Sequence, residues 1–165
     1  MILYLCRHGS AEDGGPGVPD AKRALTDEGA AKFRRVAKGF FKQEPEVTHI
    51  LTSPLVRAEQ TATILRDVLG KARAVPPRLV KTGSLAPPGK LESLLAEIRE
   101  WPEAEGVVAV AHEPFLSEWI GKLCFGHAGS CELKKGAIAA IELDADEARG
   151  TLLYLLQPGQ LRALA

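Results

Sequence analysis

Arg7 and His8 stand side by side where an apolar run, MILYLC, comes to its end, and Gly9 follows them. Two other apolar runs end in related chemistry. THILT (48–52) gives way to Ser53-Pro54, with Arg57 shortly beyond, and GVVAVA (106–111) gives way to His112-Glu113-Pro114. Each group is bland alone. Most helical arginines are solvated, and a histidine after a buried strand is commonly a satisfied core residue. Together they make a set fitted to phosphate. Two guanidiniums offer planar, bidentate donors that match phosphate oxygens. Gly9 lets the backbone come close to a ligand. A histidine among positive groups stays neutral more readily, because like charge disfavours its protonation. A neutral imidazole is the form that attacks phosphorus. The second histidine, if protonated, would balance charge on the transferring group.

These residues act as a set only if the elements carrying them share one edge. Residues 1–6 predict a short strand, and DGGPGVPD (13–20) predicts a loop. Thr26 is placed to cap a helix, with Asp27 and Glu28 in its first turn. Phe33, Val36, Ala37 and Phe40 follow at helical spacing, and Glu44 to Glu46, with a proline, close that helix. THILT is β-branched and apolar, which predicts a buried strand. Ser53-Pro54 reads as a cap plus first-turn proline, opening a helix lined by Ala58, Ala62, Leu65 and Leu69. A third strand is expected within 72–80, weakened by two prolines, and a helix from about Lys90 to Glu100. GVVAVA has the strongest strand pattern, and Phe115, Leu116, Trp119, Ile120 and Leu123 mark a helix after it. AIAAIEL (137–143) and TLLYLLQ (151–157) predict two strands joined by the turn DADEARG.

This alternation predicts one α/β domain over residues 1–165, its sheet mostly parallel with an antiparallel edge. In an open α/β sheet, ligands bind beyond the carboxyl ends of the strands. If the three strands are parallel neighbours, Arg7, His8, Arg57 and His112 converge there.

Composition narrows the partners. The 165 residues carry 21 basic and 21 acidic side chains, a balance that points to neither nucleic acid nor a polybasic membrane contact. No apolar stretch is long enough to span a bilayer, and MILYLC meets Arg7 too soon for a signal peptide, so a cytoplasmic protein is expected. Cys6, Cys124 and Cys131 are odd in number and irregularly spaced, which predicts free thiols. No CxxC or HxH pair anchors a metal, and Leu116 breaks the zinc pattern that His112-Glu113 would begin. His49 and His127 have no evident partners and read as structural.

Four stretches, LCRHG (5–9), LTDEG (25–29), TSPLVRAEQTA (52–62) and VAHEP (110–114), resemble the histidine phosphatase superfamily, also called phosphoglycerate mutase-like. They occur in the family's order, and residues 115–165 match only in general pattern. Chain length and signatures are most similar to the SixA-type phosphohistidine phosphatases. The resemblance implies a three-layer α/β/α sandwich and a covalent phosphohistidine on His8. It implies that Arg7, Arg57 and His112 hold the phosphate and that no metal or other cofactor is needed.

One departure bears on the proton donor. Many members carry an acidic residue after the third strand, but KTGSLAPPGK (81–90) holds no carboxylate. Another branch places its donor directly after the second histidine, where Glu113 stands. Glu113 is therefore a candidate proton donor, although a carboxylate at a helix start also serves as a cap. A missing donor favours a phosphoramidate, whose protonated imidazole leaves without an enzyme acid. The expected activity is a phosphatase acting on phosphohistidine in a protein. The alternatives are a phosphatase of small phosphorylated metabolites and a non-catalytic phospho-ligand regulator. Loops 10–20 and 81–90 are the segments left to wall the site, which predicts an open, shallow pocket.

Overall fold

In the computed structural model, residues 1–43, 45–71, 73–129 and 131–165 are described. The apolar runs form β1 (Ile2–Arg7), β2 (His49–Thr52), β3 (Arg78–Lys81), β4 (Gly106–Ala111), β5 (Ile138–Asp144) and β6 (Arg149–Leu156). Their order in one sheet is β3-β2-β4-β1-β5-β6. β4 is buried along its whole length, as a central strand covered on both faces must be. β1 to β4 run parallel, β5 pairs antiparallel with β1, and β6 pairs antiparallel with β5.

The register sets the site. Arg7 lies opposite Ala111, and Thr52 lies opposite Val110. The residues that follow, His8, Ser53 and His112, therefore leave three neighbouring strands at nearly one level.

Among the described residues, five α-helices cover the sheet: α1 (Asp27–Phe41), α2 (Val56–Gly70), α3 (Leu91–Arg99), α4 (Phe115–Phe125) and α5 (Pro158–Leu164). Alternate residues of β1 face opposite ways. Leu3 and Leu5 pack with Leu94 and Ile98 of α3 and Leu116 and Trp119 of α4. Tyr4 and Cys6 pack with Phe33 and Phe40 of α1, Ala58 and Leu65 of α2, and Leu161 of α5. Two apolar layers thus sandwich the sheet, giving the α/β/α arrangement. At the start of α1, Thr26 Oγ1 accepts from the Gly29 N–H, a cap worth about 1 kcal/mol. A Cβ on Gly29 would lie 2.1 Å from the Ser10 carbonyl oxygen. Glycine at that position lets the loop after His8 press against α1.

Two local expectations are corrected, and one element is new. β3 begins at Arg78, after the prolines rather than across them, because proline has no N–H for the ladder. α2 begins at Val56 with Leu55 at its cap position, so Ser53-Pro54 forms a turn ahead of the helix. α5 was not anticipated. Gln157 and Gln160 form a reciprocal capping box around Pro158, and the helix docks on α1, where a Cβ on Gly39 would meet the Leu161 carbonyl at 1.7 Å. The expected helix closure at Glu44 and strand start at Ala72 fall on positions outside the described residues. Among the described residues, no helix is long and apolar enough to cross a membrane.

Candidate active site

His8 is buried and its Nδ1 lies 2.7 Å from the Gly9 carbonyl oxygen. A carbonyl only accepts, so Nδ1 carries the ring proton and Nε2 keeps its lone pair. Arg57, in the first turn of α2, sends Nε to within 3.3 Å of that nitrogen. Arg7, the last residue of β1, donates from Nη1 to the Leu133 carbonyl at 2.7 Å. Among the described residues its Nε is buried without a partner. His112 follows β4, its ring centroid 5.1 Å from that of His8. His112 Nε2 meets Ser53 Oγ at 2.7 Å, and Ser53 Oγ also accepts from the Leu55 N–H at 3.3 Å. The hydroxyl proton is therefore free to point at Nε2. In that arrangement His112 Nδ1, buried and without a partner among the described residues, carries a proton.

The surrounding sequence keeps this geometry in place. Thr61 Oγ1 accepts from the Gly9 N–H at 3.0 Å and donates to the Arg57 carbonyl at 2.6 Å, which joins the loop after β1 to α2. Gln60 Oε1 accepts from the Leu25 N–H at 2.7 Å. Gly136, at φ +87°, donates its N–H toward the Arg7 and His8 carbonyls at 3.0 and 3.1 Å. That backbone conformation disfavours any side chain.

Burial, more than the like charge expected from the sequence, keeps His8 neutral, and it qualifies the reading of His112. Burial pushes the His8 pKa down to about 4, with the Gly9 bond opposing and Arg57, Arg7 and Lys135 assisting. Burial, helped by the neighbouring His8 and Arg57, pushes His112 down to about 3. Both imidazoles are neutral near pH 7, so the condition of a protonated His112 is not met in the free site. A phosphoryl dianion beside it would move its pKa upward.

The four expected residues come together, and Glu113 holds one carboxylate oxygen on Ser117 and leaves the other, Oε1, buried without a partner among the described residues. Its Oε2 accepts from Ser117 N at 3.2 Å and from Ser117 Oγ at 2.8 Å, closing the first turn of α4. Sequence reasoning missed Asp20, which binds Arg57 through both its carbonyl and its carboxylate. It also took Ser53 for a helix cap, and it gave no role to Thr61 or Gln60. The spacing in TSPLVRAEQTA held the signal for Thr61, one helical turn after Arg57. His49 stacks on Trp101 at 4.3 Å and His127 is exposed; neither joins the site. Among the described residues, no group of three His, Cys, Asp or Glu side chains could hold a metal ion. A cavity of about 790 Å³ lies between Met1, Arg99 and Asp146, at the opposite end of β1 from His8.

The arrangement gathers one nitrogen lone pair, on His8, with the Arg57 N–H that meets it and with buried, unpartnered nitrogens on Arg7 and His112 among the described residues. Such a set can bind a tetrahedral oxyanion and attack its centre.

The model of the histidine phosphatase superfamily (branch 1) matches residues 3–82. An uncharacterized protein of Picosynechococcus sp. is 38% identical over 149 residues, covering 88% of this chain and 87% of that protein. Phosphohistidine phosphatase SixA of Escherichia coli is 28% identical over 164 residues, covering 98% of this chain and 97% of that protein. The solved structure of the protein histidine phosphatase SixA complexed with tungstate superposes with a TM-score of 0.83 at 27% identity, covering 98% of this chain and 99% of that one. The alpha-ribazole phosphatase of Shigella flexneri shares the fold at a TM-score of 0.71 and 19% identity, covering 96% of this chain and 97% of that one.

Proposed function

The chain belongs to the histidine phosphatase superfamily, and from that membership we propose that it removes a phosphoryl group from phosphohistidine in a protein, through a covalent intermediate on His8 and without metal. The observation that carries the reading is the His8 ring: Nδ1 is committed to the Gly9 carbonyl, and Nε2 points its lone pair toward Arg57. In the first step, Nε2 attacks phosphorus and the bond to the substrate nitrogen breaks, its electron pair returning to the leaving imidazole. Arg7 Nε, Arg57 Nε and His112 Nδ1 donate to the phosphoryl oxygens, where charge is greatest. These donors and the two guanidiniums supply the positive field that a metal ion otherwise gives. In the second step, water attacks phosphorus, the N–P bond of His8 breaks, the electron pair returns to Nε2, and both protons of the water leave on the inorganic phosphate.

Three features support a P–N substrate. The segment 81–90 has no carboxylate, and one oxygen of the Glu113 carboxylate is engaged by Ser117. An imidazole protonated on its other nitrogen leaves without an enzyme acid. The likeness to a protein named phosphohistidine phosphatase extends over nearly the whole chain. A phosphatase of small phosphorylated metabolites is the second reading, favoured by the fold shared with alpha-ribazole phosphatase. The neutral His8 imidazole argues against a non-catalytic regulator, because phosphate binding alone is served better by a charged ring than by a neutral one.

The test compares turnover of a phosphohistidine protein, free phosphohistidine, aryl phosphates and phosphoglycerates after chelation of metal. The phosphohistidine protein should have the highest kcat/KM, and quenched turnover should leave acid-labile, base-stable phosphate on His8. Label persisting in His8→Ala would refute the covalent role, and faster turnover of a small phosphoester would move the assignment to the second reading.

A further inference from the structure

Asp20 opens a short 3₁₀ turn, Asp20–Lys22, in the loop between β1 and α1. From there it reaches Arg57. The Nη1 group of Arg57 donates to the Asp20 carbonyl at 2.8 Å, and Nη2 donates to Asp20 Oδ2 at 3.0 Å. One residue thus grips both terminal nitrogens of the guanidinium, once with its main chain and once with its side chain. Its other carboxylate oxygen, Oδ1, accepts from Arg23 Nη1 at 2.9 Å. Arg23 in turn donates from Nε to the Glu12 carbonyl at 2.7 Å. The grip is therefore itself held from behind.

A guanidinium is flat and rigid, so fixing one edge fixes the others. With Nη1 and Nη2 held from the loop side, the Nε edge has one direction left. That direction is His8, whose Nε2 lies 3.3 Å from Arg57 Nε. We propose that Asp20 is a positioning residue for phosphoryl transfer: it sets the roll of the Arg57 guanidinium so that Nε and the second Nη2 hydrogen face the phosphoryl group on its way to His8 Nε2.

The assignment rests on the covalent role of His8 proposed above. It gives the loop a function that Gly14, Gly15 and Gly17 alone do not suggest: the loop carries an anchor, and Asp20 ties it down. A free arginine side chain at the mouth of a site would have to be ordered when substrate arrives. Here it is ordered beforehand, which is how preorganisation favours the transition state. The charged groups facing Asp20 fit an ionised anchor. The carboxyl is held below the usual range by its bond to Arg57 first, and by Arg23. It acts on the outer edge of the guanidinium, away from the oxyanion.

The experiment is a double-mutant cycle on the full chain, read as the single-turnover rate of phosphate transfer to His8. Asp20→Ala should slow transfer by about tenfold to a hundredfold, the loss of one charged hydrogen bond. In an Arg57→Ala background the same change should cost less than about twofold, because the group it positions is gone. Asp20→Asn keeps an acceptor for Nη2 and should recover most of the rate. Thermal unfolding of each variant separates loss of fold from loss of alignment. Additive losses, or an Asp20→Ala enzyme of native rate, would overturn the proposal. If the unmodified enzyme never labels His8, the covalent reading fails instead, and the two failures are told apart by that control.

Discussion

Ser53 Oγ and His112 Nε2 meet at 2.7 Å in a site where both residues are buried. With the Ser53 hydroxyl donating, His112 keeps its ring proton on Nδ1. Ser53→Ala removes the contact and leaves a buried imidazole nitrogen without a partner, at a cost of about 1–3 kcal/mol in stability. It also frees the ring to exchange tautomers. Long-range proton–nitrogen NMR should show His112 protonated at Nδ1 in the native protein and mixed in the variant, with turnover falling about tenfold. An unchanged tautomer in the variant would remove Ser53 from this role.

Arg57 is held by three contacts that a lysine cannot reproduce: Nε toward His8, Nη1 and Nη2 to Asp20. Arg57→Lys keeps the charge and loses the fork. Activity should fall about tenfold or more, and so should affinity for vanadate or tungstate, as one charged bidentate contact is worth about 1.5–3 kcal/mol. A lysine variant with native kinetics would mean that charge alone matters at this position.

The pH dependence of stability follows from the two buried imidazoles. Their folded pKa values, about 4 for His8 and about 3 for His112, lie below the ordinary 6.5. Below 6.5 the unfolded chain therefore binds protons that the folded chain refuses. Stability is fully present above pH 6.5. It should decline as pH falls toward 4 for His8 and toward 3 for His112, with a slope of up to about 1.4 kcal/mol per pH unit for each ring. The Asp20 carboxyl, depressed from 3.8, adds its own loss only at lower pH. Urea unfolding between pH 7 and 4.5 should show this slope, and His8→Asn should roughly halve it. A flat profile across that interval would contradict neutral burial.

The strands and three of the four converging residues, Arg7, His8 and His112, were legible for a common reason. Buried strands in an α/β sheet are continuous apolar runs, and a polar residue that ends such a run must sit at the rim where ligands bind. Asp20 was not legible, because a loop such as DGGPGVPD has no period from which a direction can be read. Ser53-Pro54 misled because the same two residues start helices elsewhere; what distinguishes this case is His112, distant in sequence and adjacent only once β2 pairs with β4. α5 has seven residues, too few for a hydrophobic pattern, and only its QPGQ cap marks it. The close packing of Gly29 against Ser10 and of Gly39 against Leu161 is likewise long-range information.

Glu113 gives the sharpest choice between two kinds of substrate. Its Oε2 accepts from the main chain and hydroxyl of Ser117, while Oε1 is buried without a partner among the described residues. The bonded oxygen serves α4 as a cap, and the other is the atom that could carry a proton. Leaving groups separate the roles. A general acid matters more as the leaving group becomes more basic, because more negative charge collects on it in the transition state. If Glu113 donates, Glu113→Gln should barely affect nitrophenyl phosphate and should cripple alkyl phosphates. If it caps, the loss should be small and equal across the series, with stability lower by about 0.3–1 kcal/mol. The engagement with Ser117 favours the second pattern, together with slow alkyl phosphate turnover in the unmodified enzyme. Rapid alkyl phosphate hydrolysis that depends on Glu113 would overturn it, and with it the preference for a phosphohistidine substrate.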